Sequence, residues 1–340
     1  MRFRLRKGII GLLVVSFCVL SMPKTSRICA NAQVYTSSKA ECVMELHSRR
    51  ILYASNADKR LPMASTTKIL TAITVLESCD NLQEQIEIPD AAIGVEGSSV
   101  YLKKGDVYSV EDLLYGLMLR SGNDCAKALA LRFGGSIGNF AAKMNETAQK
   151  AGAIESNFKN PHGLPCDGHY TTARDLSLIA CYAMENPTFK TIVSTSYYEQ
   201  RHWKNKNKML ERFDGANGVK TGYTKAAGRC LVSSAEREGM TLICSVLNSP
   251  NMYERSMQLL KDAFAAYQYT QLVKNGQVME HGVAQEDFYY PLLKEEQALI
   301  KVQSKPLKKP TMYEKKQKIV GQFEIYLANQ LLFSGNLYKL

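Results

Sequence analysis

Three short motifs along the chain carry residue types that can perform nucleophilic chemistry. They read S-T-T-K at residues 65–68, S-G-N at residues 121–123 and K-T-G at residues 220–222. A serine hydroxyl is a weak nucleophile and needs a nearby base to accept its proton. Lys68, three residues after Ser65, can act as that base if its amine is uncharged. The first motif therefore predicts a serine nucleophile that is activated by a lysine.

Sequence context decides which copies of these motifs can form a site. S-x-x-K also occurs at residues 21–24 and 156–159, and S-G-N recurs at 334–336, whereas K-T-G occurs once. Of the S-x-x-K copies, the one at 65–68 begins a strongly amphipathic helix, on which side chains three residues apart share a face. The S-G-N copy at 121–123 falls on a loop between two predicted helices, and K-T-G falls on a strand. We expect the helix start, the loop and the strand to form three walls of one cleft.

The elements that must position these motifs follow from hydrophobic periodicity. Residues 41–54 predict a β-hairpin, and the apolar or alternating segments at 218–221, 229–233 and 242–247 predict strands. Helices are predicted around the apolar residues of 69–76, 113–118, 126–132, 176–182 and 253–267. Ser109 and Thr172 are predicted helix caps, since an aspartate follows each of them three residues later. The main body should therefore have strands at both sequence ends with helices between them.

The motifs and their surroundings resemble the penicilloyl-serine family, which contains the penicillin-binding proteins and the class A β-lactamases. Residues 56–68 and 158–164 resemble the low-molecular-weight D-alanyl-D-alanine carboxypeptidases, and the similarity continues to about residue 262. The resemblance implies an α/β (α+β) fold: a β-lactamase-like domain with an antiparallel sheet flanked by helices and a helical subdomain. Residues 33–268 would form this D,D-peptidase domain. Residues 269–340, which contain only short strand-like segments, would form a small C-terminal all-β domain.

The chemistry of the side chains suggests a role for each motif residue. Burial and the neighbouring cation Lys220 would both lower the pKa of Lys68 and keep its amine uncharged. Ser121 can pass a proton to the leaving amine, and Asn123 can hold the peptide carbonyl of the substrate or orient Lys68. The backbone amide of Ser65, at a helix N-terminus, can donate to an oxyanion.

The resemblance adds further site residues. It implies that the backbone amide of Tyr223 is the second donor of the oxyanion hole, beside that of Ser65. It also implies that the K-T-G motif, through Lys220 and Thr221 with Gly222, binds the terminal carboxylate of the substrate. Arg255, on the last predicted helix of the main domain, matches the arginine that assists carboxylate binding in this family.

These residues together imply a serine D-alanyl-D-alanine carboxypeptidase. It would remove the terminal D-alanine of peptidoglycan stem peptides through a Ser65 acyl-enzyme, would be acylated by β-lactam antibiotics, and would need no cofactor or metal ion. The first alternative is a class A-like β-lactamase, although the E-x-x-L-N string of that class does not occur between the second and third motifs. The second alternative is a non-catalytic wall protein that binds penicillin or muropeptides, although such a binder has no need of Lys68 beside Ser65.

Two histidines, His162 and His169, invite the hypothesis of a Ser-His catalytic pair. A lysine base already explains the chemistry, and the resemblance implies that the histidine of this loop is structural. We therefore expect both histidines to support the loop and not to act in catalysis.

The N-terminus predicts an exported protein. A basic start precedes an apolar run at residues 8–20, and A-N-A at residues 30–32 offers a cleavage site. Residues 1–32 are therefore interpreted as a signal peptide, with an uncleaved anchor as the alternative. We expect the protein in the cell wall or at the outer face of the cytoplasmic membrane. Seven cysteines follow Gln33 without a C-x-x-C pair, a pattern that argues against zinc and thioredoxin-type sites and predicts buried thiols.

Composition narrows the class of protein further. The chain has 340 residues, a formal charge of +11 and 45% hydrophobic residues, which excludes a disordered, collagen-like or multi-span membrane protein. Lys and Arg are spread along the sequence, and six of them lie in residues 1–32, so no nucleic-acid footprint is present. A mildly basic body suits an anionic cell wall. The sequence does not indicate an oligomeric state.

Overall fold

The computed structural model describes residues 38–339. The predicted signal peptide, residues 1–32, lies outside the described residues, so its interpretation stays a prediction. The strands of the described region are β1 (Ala40–Glu45), β2 (Ile51–Ser55), β3 (Gln85–Glu87), β4 (Val107–Ser109), β5 (Tyr197–Tyr198), β6 (Trp203–Lys204), β7 (Ala216–Thr224), β8 (Gly228–Arg237), β9 (Met240–Leu247), β10 (Tyr267–Val273), β11 (Val278–Met279), β12 (Gly282–Ala284), β13 (Phe288–Leu293), β14 (Ile300–Pro306), β15 (Ile319–Leu327) and β16 (Gln330–Tyr338).

Most of the helices lie between β2 and β7, as the sequence predicts. The helices are α1 (Lys68–Ser78), α2 (Val110–Leu119), α3 (Asn123–Gly134), α4 (Ile137–Lys150), α5 (Ala173–Met184), α6 (Pro187–Ser194), α7 (Met209–Arg212), α8 (Met252–Ala266) and α9 (Met312–Lys316). A 3₁₀ turn, Ala64–Thr67, directly precedes α1. Across residues 38–339, every helix is too short or too polar to cross a membrane.

The main sheet is antiparallel and has the strand order β2-β1-β9-β8-β7. The hairpin near the N-terminus therefore pairs with β9, so that Cys42 lies opposite Ser245. One face of the sheet packs against α5 and α1, and the other packs against α8. This arrangement confirms the predicted sheet built from both ends of the main body. It also leaves β7, which carries the K-T-G motif, as an edge strand.

The C-terminal region has a sheet and an apolar core of its own. Its five-stranded sheet has the order β11-β12-β16-β15-β14, and β10 pairs separately with β13. Phe323, Ile325 and Leu337 are fully buried between these strands. The structure therefore confirms a C-terminal all-β domain. The predicted boundary between residues 268 and 269 falls inside β10, which continues directly from α8, and the exact division stays a prediction.

Local sequence signals set the first residues of α2 and α5 and the position of the S-G-N motif. The hydroxyl of Ser109 accepts a hydrogen bond of 2.9 Å from the amide of Asp112, and Thr172 accepts one of 3.0 Å from that of Asp175. Both predicted caps are confirmed. Because α2 ends at Leu119 and α3 begins at Asn123, the S-G-N motif occupies the tight loop between them. The seven cysteines of the described region are free, and most are buried, as predicted.

Candidate active site

Ser65 and Lys68 lie at the predicted helix start, but the first turn is a 3₁₀ turn and not a regular α-helical one. A 3₁₀ helix has three residues per turn, so side chains at positions i and i+3 eclipse one another. This geometry places Lys68 Nζ 2.9 Å from Ser65 Oγ. Lys68 is fully buried while Ser65 is partly exposed. The pair therefore combines an accessible hydroxyl with a desolvated amine.

Two carbonyl oxygens fix the amine of Lys68. Its Nζ donates to Asn123 Oδ1 at 2.6 Å and to the backbone oxygen of His162 at 2.7 Å. Burial lowers the pKa of Lys68 well below its usual value, and the charge of Lys220 lowers this pKa further. An uncharged amine has two N–H groups and one lone pair. In an uncharged Lys68 whose two N–H groups bind these carbonyl oxygens, the lone pair would face the hydroxyl of Ser65.

The S-G-N loop is held in one conformation by its surroundings. Ser121 has a φ of +63°, a value that is uncommon for a residue other than glycine and that is concentrated at functional sites. The buried carboxylate of Asp124 accepts hydrogen bonds from two amides and a hydroxyl of residues 99–102. Asn123 Nδ2 donates to the backbone oxygen of Glu96 at 2.5 Å. The carbonyl of Asn123 is thereby aimed at the lysine amine.

The third wall is β7, with the buried side chain of Lys220. Its Nζ donates to the backbone oxygen of Thr221 at 3.1 Å. Burial lowers the pKa of Lys220 to about 7, with a smaller contribution from the charge of Lys206. A lysine with this pKa is partly protonated near neutral pH and becomes more so when an anion binds beside it. The residue thus suits the recognition of a carboxylate.

Gly222 allows β7 to approach the turn that carries Ser65. A Cβ at Gly222 would lie 3.1 Å from the backbone nitrogen of Ser65 and 3.0 Å from the backbone oxygen of Met63. The side chain of Tyr223, the residue after Gly222, is mostly exposed. The close approach at Gly222 is compatible with an oxyanion hole made by the amides of Ser65 and Tyr223, which stays a prediction.

The contacts of Arg255 lie outside the three motifs, and the prediction that it assists carboxylate binding stays a prediction. Its guanidinium pairs with both carboxylate oxygens of Glu41, at 2.8 and 2.7 Å, and donates to the hydroxyl of Tyr53. Glu41 is two residues before Val43, which packs against α8, and alternate residues of a strand share a face. Glu41 and Arg255 therefore lie on the α8 face of the sheet, whereas Lys68 lies on the other face.

The loop at residues 158–170 supports the nucleophile through its backbone. Gly163 has a φ of +88°, and a Cβ there would lie 1.9 Å from the backbone oxygen of Ala64. Only glycine fits this contact. The resemblance of residues 158–164 to the carboxypeptidases is the sequence signal for this loop, but nothing in the pattern indicates that the carbonyl of His162 accepts a hydrogen bond from Lys68.

Both histidines of this loop have structural contacts. His169 Nδ1 accepts from the backbone amide of Lys159 at 3.0 Å, and its Nε2 lies 3.0 Å from the hydroxyl of Thr67. Burial lowers the pKa of His169 to about 4. Burial is also the main cause that lowers the pKa of His162, to about 3. Both imidazoles are therefore neutral at physiological pH, as expected of supporting residues.

Sequence reasoning missed two charged residues beside the cleft. Asp124 directly follows the S-G-N motif, and this position could have indicated a residue beside the cleft. Its hydrogen bonds to residues 99–102 could not be predicted, because they form only in the folded chain. Lys206 lies close enough to Lys220 to lower its pKa, and its Nζ lies 3.3 Å from the hydroxyl of Ser98. Lys206 stands in a polar stretch between short elements, which carries no motif.

Comparison with known proteins gives the class to which this fold and cleft belong. The model of the peptidase S11 family, described as D-alanyl-D-alanine carboxypeptidase, matches residues 28–251. The chain belongs to this family. The matched region contains all three motifs and ends before Arg255.

Individual relatives agree with this assignment. The D-alanyl-D-alanine carboxypeptidase DacF of Bacillus subtilis is 29% identical over 285 residues, which are 80% of this chain and 73% of the relative. The D-alanyl-D-alanine carboxypeptidase of Streptomyces sp. strain K15 is 37% identical over 233 residues, which are 62% and 80% of the two chains. Among solved structures, penicillin binding protein 5 from Haemophilus influenzae matches with a TM-score of 0.76 and 26% identity, covering 89% of this chain and 97% of its own. These matches favour neither the β-lactamase nor the non-catalytic alternative.

Proposed function

We propose that this protein is a serine-type D-alanyl-D-alanine carboxypeptidase that trims peptidoglycan stem peptides through an acyl-enzyme at Ser65. The observation that carries the proposal is the buried amine of Lys68, which lies 2.9 Å from Ser65 Oγ and has a lowered pKa. A lysine that only shaped the helix would be solvated and charged. A protein that only bound muropeptides would not need an uncharged amine beside the serine.

The acylation step uses the three walls of the cleft together. Lys68 takes the proton of Ser65, and Oγ attacks the carbonyl carbon of the penultimate D-alanine. The negative charge that develops on the carbonyl oxygen is bound by the backbone amides of Ser65 and Tyr223. The hydroxyl of Ser121 passes its proton to the nitrogen of the terminal D-alanine as the peptide bond breaks, and Lys68 returns to Ser121 the proton that it took from Ser65. An ester at Ser65 and free D-alanine result, and water then hydrolyses the ester.

The substrate is positioned by charge and by hydrogen bonds. Protonated Lys220 and the hydroxyl of Thr221 would bind the carboxylate of the terminal D-alanine, and Asn123 would hold the preceding peptide carbonyl. A β-lactam antibiotic carries a carboxylate and a strained amide, so it would occupy the same cleft and acylate Ser65. The chemistry uses only groups of the chain and water.

Export of the protein is part of the proposal. The support is the basic and apolar sequence at residues 1–20 with the A-N-A site at 30–32. An exported chain would meet its substrate in the cell wall or at the outer face of the cytoplasmic membrane. Sequencing the N-terminus of the protein recovered from the wall or medium tests this, with a start near Gln33 expected. Recovery of full-length protein from the membrane after a high-salt wash would contradict the cleavage site.

The activity is tested with a diacetyl-lysyl-D-Ala-D-Ala peptide, from which the protein should release D-alanine. Fluorescent penicillin should label the wild type and fail to label Ser65→Ala. Ser156→Ala is a matched control, because Ser156 begins the other S-x-x-K copy of the described region and its hydroxyl instead binds Asp175 at 2.7 Å. Labelling of Ser65→Ala, or D-alanine release by that variant, would contradict the proposal.

A further inference from the structure

A groove lies where two hairpin turns of the main domain meet the C-terminal all-β domain. Its volume is about 710 Å³, within the ~300–1,000 Å³ typical of sites for small molecules. The turn between β1 and β2, the turn between β8 and β9, and the strands β10, β13 and β16 border it. The lining residues that matter here are His47, Glu238, Tyr269, Asp287, Tyr289 and Phe333.

The groove is formed before any ligand binds, because a half-buried arginine joins its two sides. Arg50, at the end of the first turn, donates to the backbone oxygen of Pro291 and to the carboxylate of Glu296, both at 2.6 Å. Its guanidinium also lies 5.2 Å from the ring centre of Tyr267 and 5.1 Å from that of Tyr290. Such contacts fix the two domains relative to each other at this point.

Aromatic rings form the floor of the groove. Tyr269 and Tyr289 stack with ring centres 5.2 Å apart and an interplanar angle of 20°. Phe288 and Phe333 stack at 4.4 Å beside them. Tyr289 is 38% exposed, so its ring is accessible from the groove. The faces of such rings are negative and attract the C–H groups of a flat, partly apolar ligand.

The rim carries hydrogen-bond acceptors in place of cations. Asp287 is held by Gln271 Nε2 at 2.8 Å and by the amide of Asn275 at 2.9 Å, both of which bind its Oδ1. Glu238 and His47 are exposed on the two hairpin turns. The described residues that line the groove include neither lysine nor arginine, although the chain has a formal charge of +11. This lining disfavours an anionic ligand such as a phosphate polymer.

We propose that this groove binds an uncharged saccharide, specifically a stretch of β-1,4-linked N-acetylated amino sugars. A sugar ring offers C–H faces to Tyr289 and Tyr269, while its hydroxyl and acetamido N–H groups donate to Asp287 and Glu238. Sugars of this class form the polymer that bears the peptide stems of the cell wall. The inference thus rests on the proposed function and gives the enzyme a second, non-catalytic binding site for its polymeric substrate.

The groove does not overlap the catalytic cleft. Val232 of β8 lies opposite Lys220, and Glu238 follows six residues later, just past the end of β8. At about 3.3 Å per strand residue the two sites are ~20 Å apart along the sheet. A glycan can therefore occupy the groove while a peptide occupies the cleft.

The test uses a soluble tetramer of β-1,4-linked N-acetylglucosamine, which carries no peptide and so probes the groove alone. Saturation-transfer NMR and titration calorimetry on the wild-type protein should show binding. Tyr289→Ala and Asp287→Asn should each weaken it roughly tenfold or more, as expected when an anchor of a binding site is removed. Tyr313→Ala is the matched control, because Tyr313 is 68% exposed on the same domain and lies outside the groove. Circular dichroism checks that each variant is folded.

The outcomes distinguish a failure of the saccharide site in the groove from a failure of the proposed activity in the cleft. The proposal is overturned if the wild type does not bind the tetramer, if folded Tyr289→Ala and Asp287→Asn bind it as tightly as the control, or if the sugar-free stem peptide competes for the groove. Binding of the tetramer by a protein that releases no D-alanine would refute the proposed activity and leave the saccharide site supported. Release of D-alanine without binding of the tetramer would refute the saccharide site alone.

Discussion

The contact of Gly222 with the nucleophile turn gives the sharpest prediction about the cleft. A Cβ added at Gly222 would lie 3.0 Å from Met63 O, 3.1 Å from Ser65 N and 3.2 Å from the Cβ of Ala64, whereas ordinary contacts of a Cβ are 3.4–4 Å. The substitution Gly222→Ala must therefore move β7 and the turn apart by a few tenths of an ångström. The two amides proposed for the oxyanion hole lie on the two sides of this contact.

The size of the effect follows from the cost of overpacking. One extra methyl group in a packed contact costs ~1–3 kcal/mol. If this cost falls on the transition state, where the oxyanion needs both amides, acylation slows roughly 5- to 150-fold. The fold should survive because β7 is an edge strand and can shift without breaking a second strand ladder.

The rate of acylation by fluorescent penicillin measures this effect, with thermal unfolding as the measure of stability. Gly138→Ala is the matched control, since a Cβ at Gly138 on α4 would meet nothing within 4 Å. That control should acylate like the wild type and gain ~0.5–1 kcal/mol of stability, because alanine is the better helix former. A wild-type acylation rate in Gly222→Ala would refute the reasoning, since it would show that the spacing of β7 and the turn does not set the reactivity of Ser65.

Three further predictions concern charge. Lys220→Gln should lower kcat/KM for D-alanine release roughly 10- to 150-fold, which corresponds to the ~1.5–3 kcal/mol of a hydrogen bond to a charged group. Lys220→Arg should lower kcat/KM less, because it keeps the charge. Equal activity of Lys220→Gln and wild type would refute the carboxylate role. In the wild type, kcat/KM should rise with pH as Lys68 loses its proton, and it should fall again near pH 7 as Lys220 loses its proton. The fall should be absent in Lys220→Gln. If the fall persists in that variant, it belongs to the titration of another group. Arg255→Gln should lower the free energy of unfolding by ~3–5 kcal/mol, because it leaves the buried carboxylate of Glu41 without its cation. Penicillin acylation of the folded variant should be normal. Unchanged stability with slowed acylation would instead support a role of Arg255 in substrate binding.

Much of the fold could be predicted because its elements leave local signals. The hairpin at residues 41–54 and the caps at Ser109 and Thr172 are properties of a few neighbouring residues, and the structure confirms them. The pairing of β1 with β9 could not be derived from periodicity, because a strand pattern does not name its partner. The resemblance to a known family supplied the antiparallel sheet, whereas the short strand-like segments after residue 268 indicated the C-terminal domain.

The cleft shows where residue patterns stop being informative. A motif records which side chains have the right chemistry, and it found Ser65 and Lys68 because three residues of sequence separate them. The groups that fix the amine of Lys68 lie far away along the chain, such as the carbonyl of His162, whose contribution depends on backbone position and not on residue type.

The contacts of Arg255 could not be predicted from the sequence for the same reason. An arginine on a late helix satisfies a family pattern by its position, but the face of the sheet on which it lies depends on the register of β1 with β9. In this chain that register places Glu41, a buried acid, opposite Val246 on the α8 face, and the burial of an uncompensated carboxylate costs several kcal/mol. The ion pair of Arg255 with Glu41 therefore stabilises the fold. The proposed recognition of the substrate carboxylate therefore rests on Lys220, which is not engaged in such an ion pair within residues 38–339.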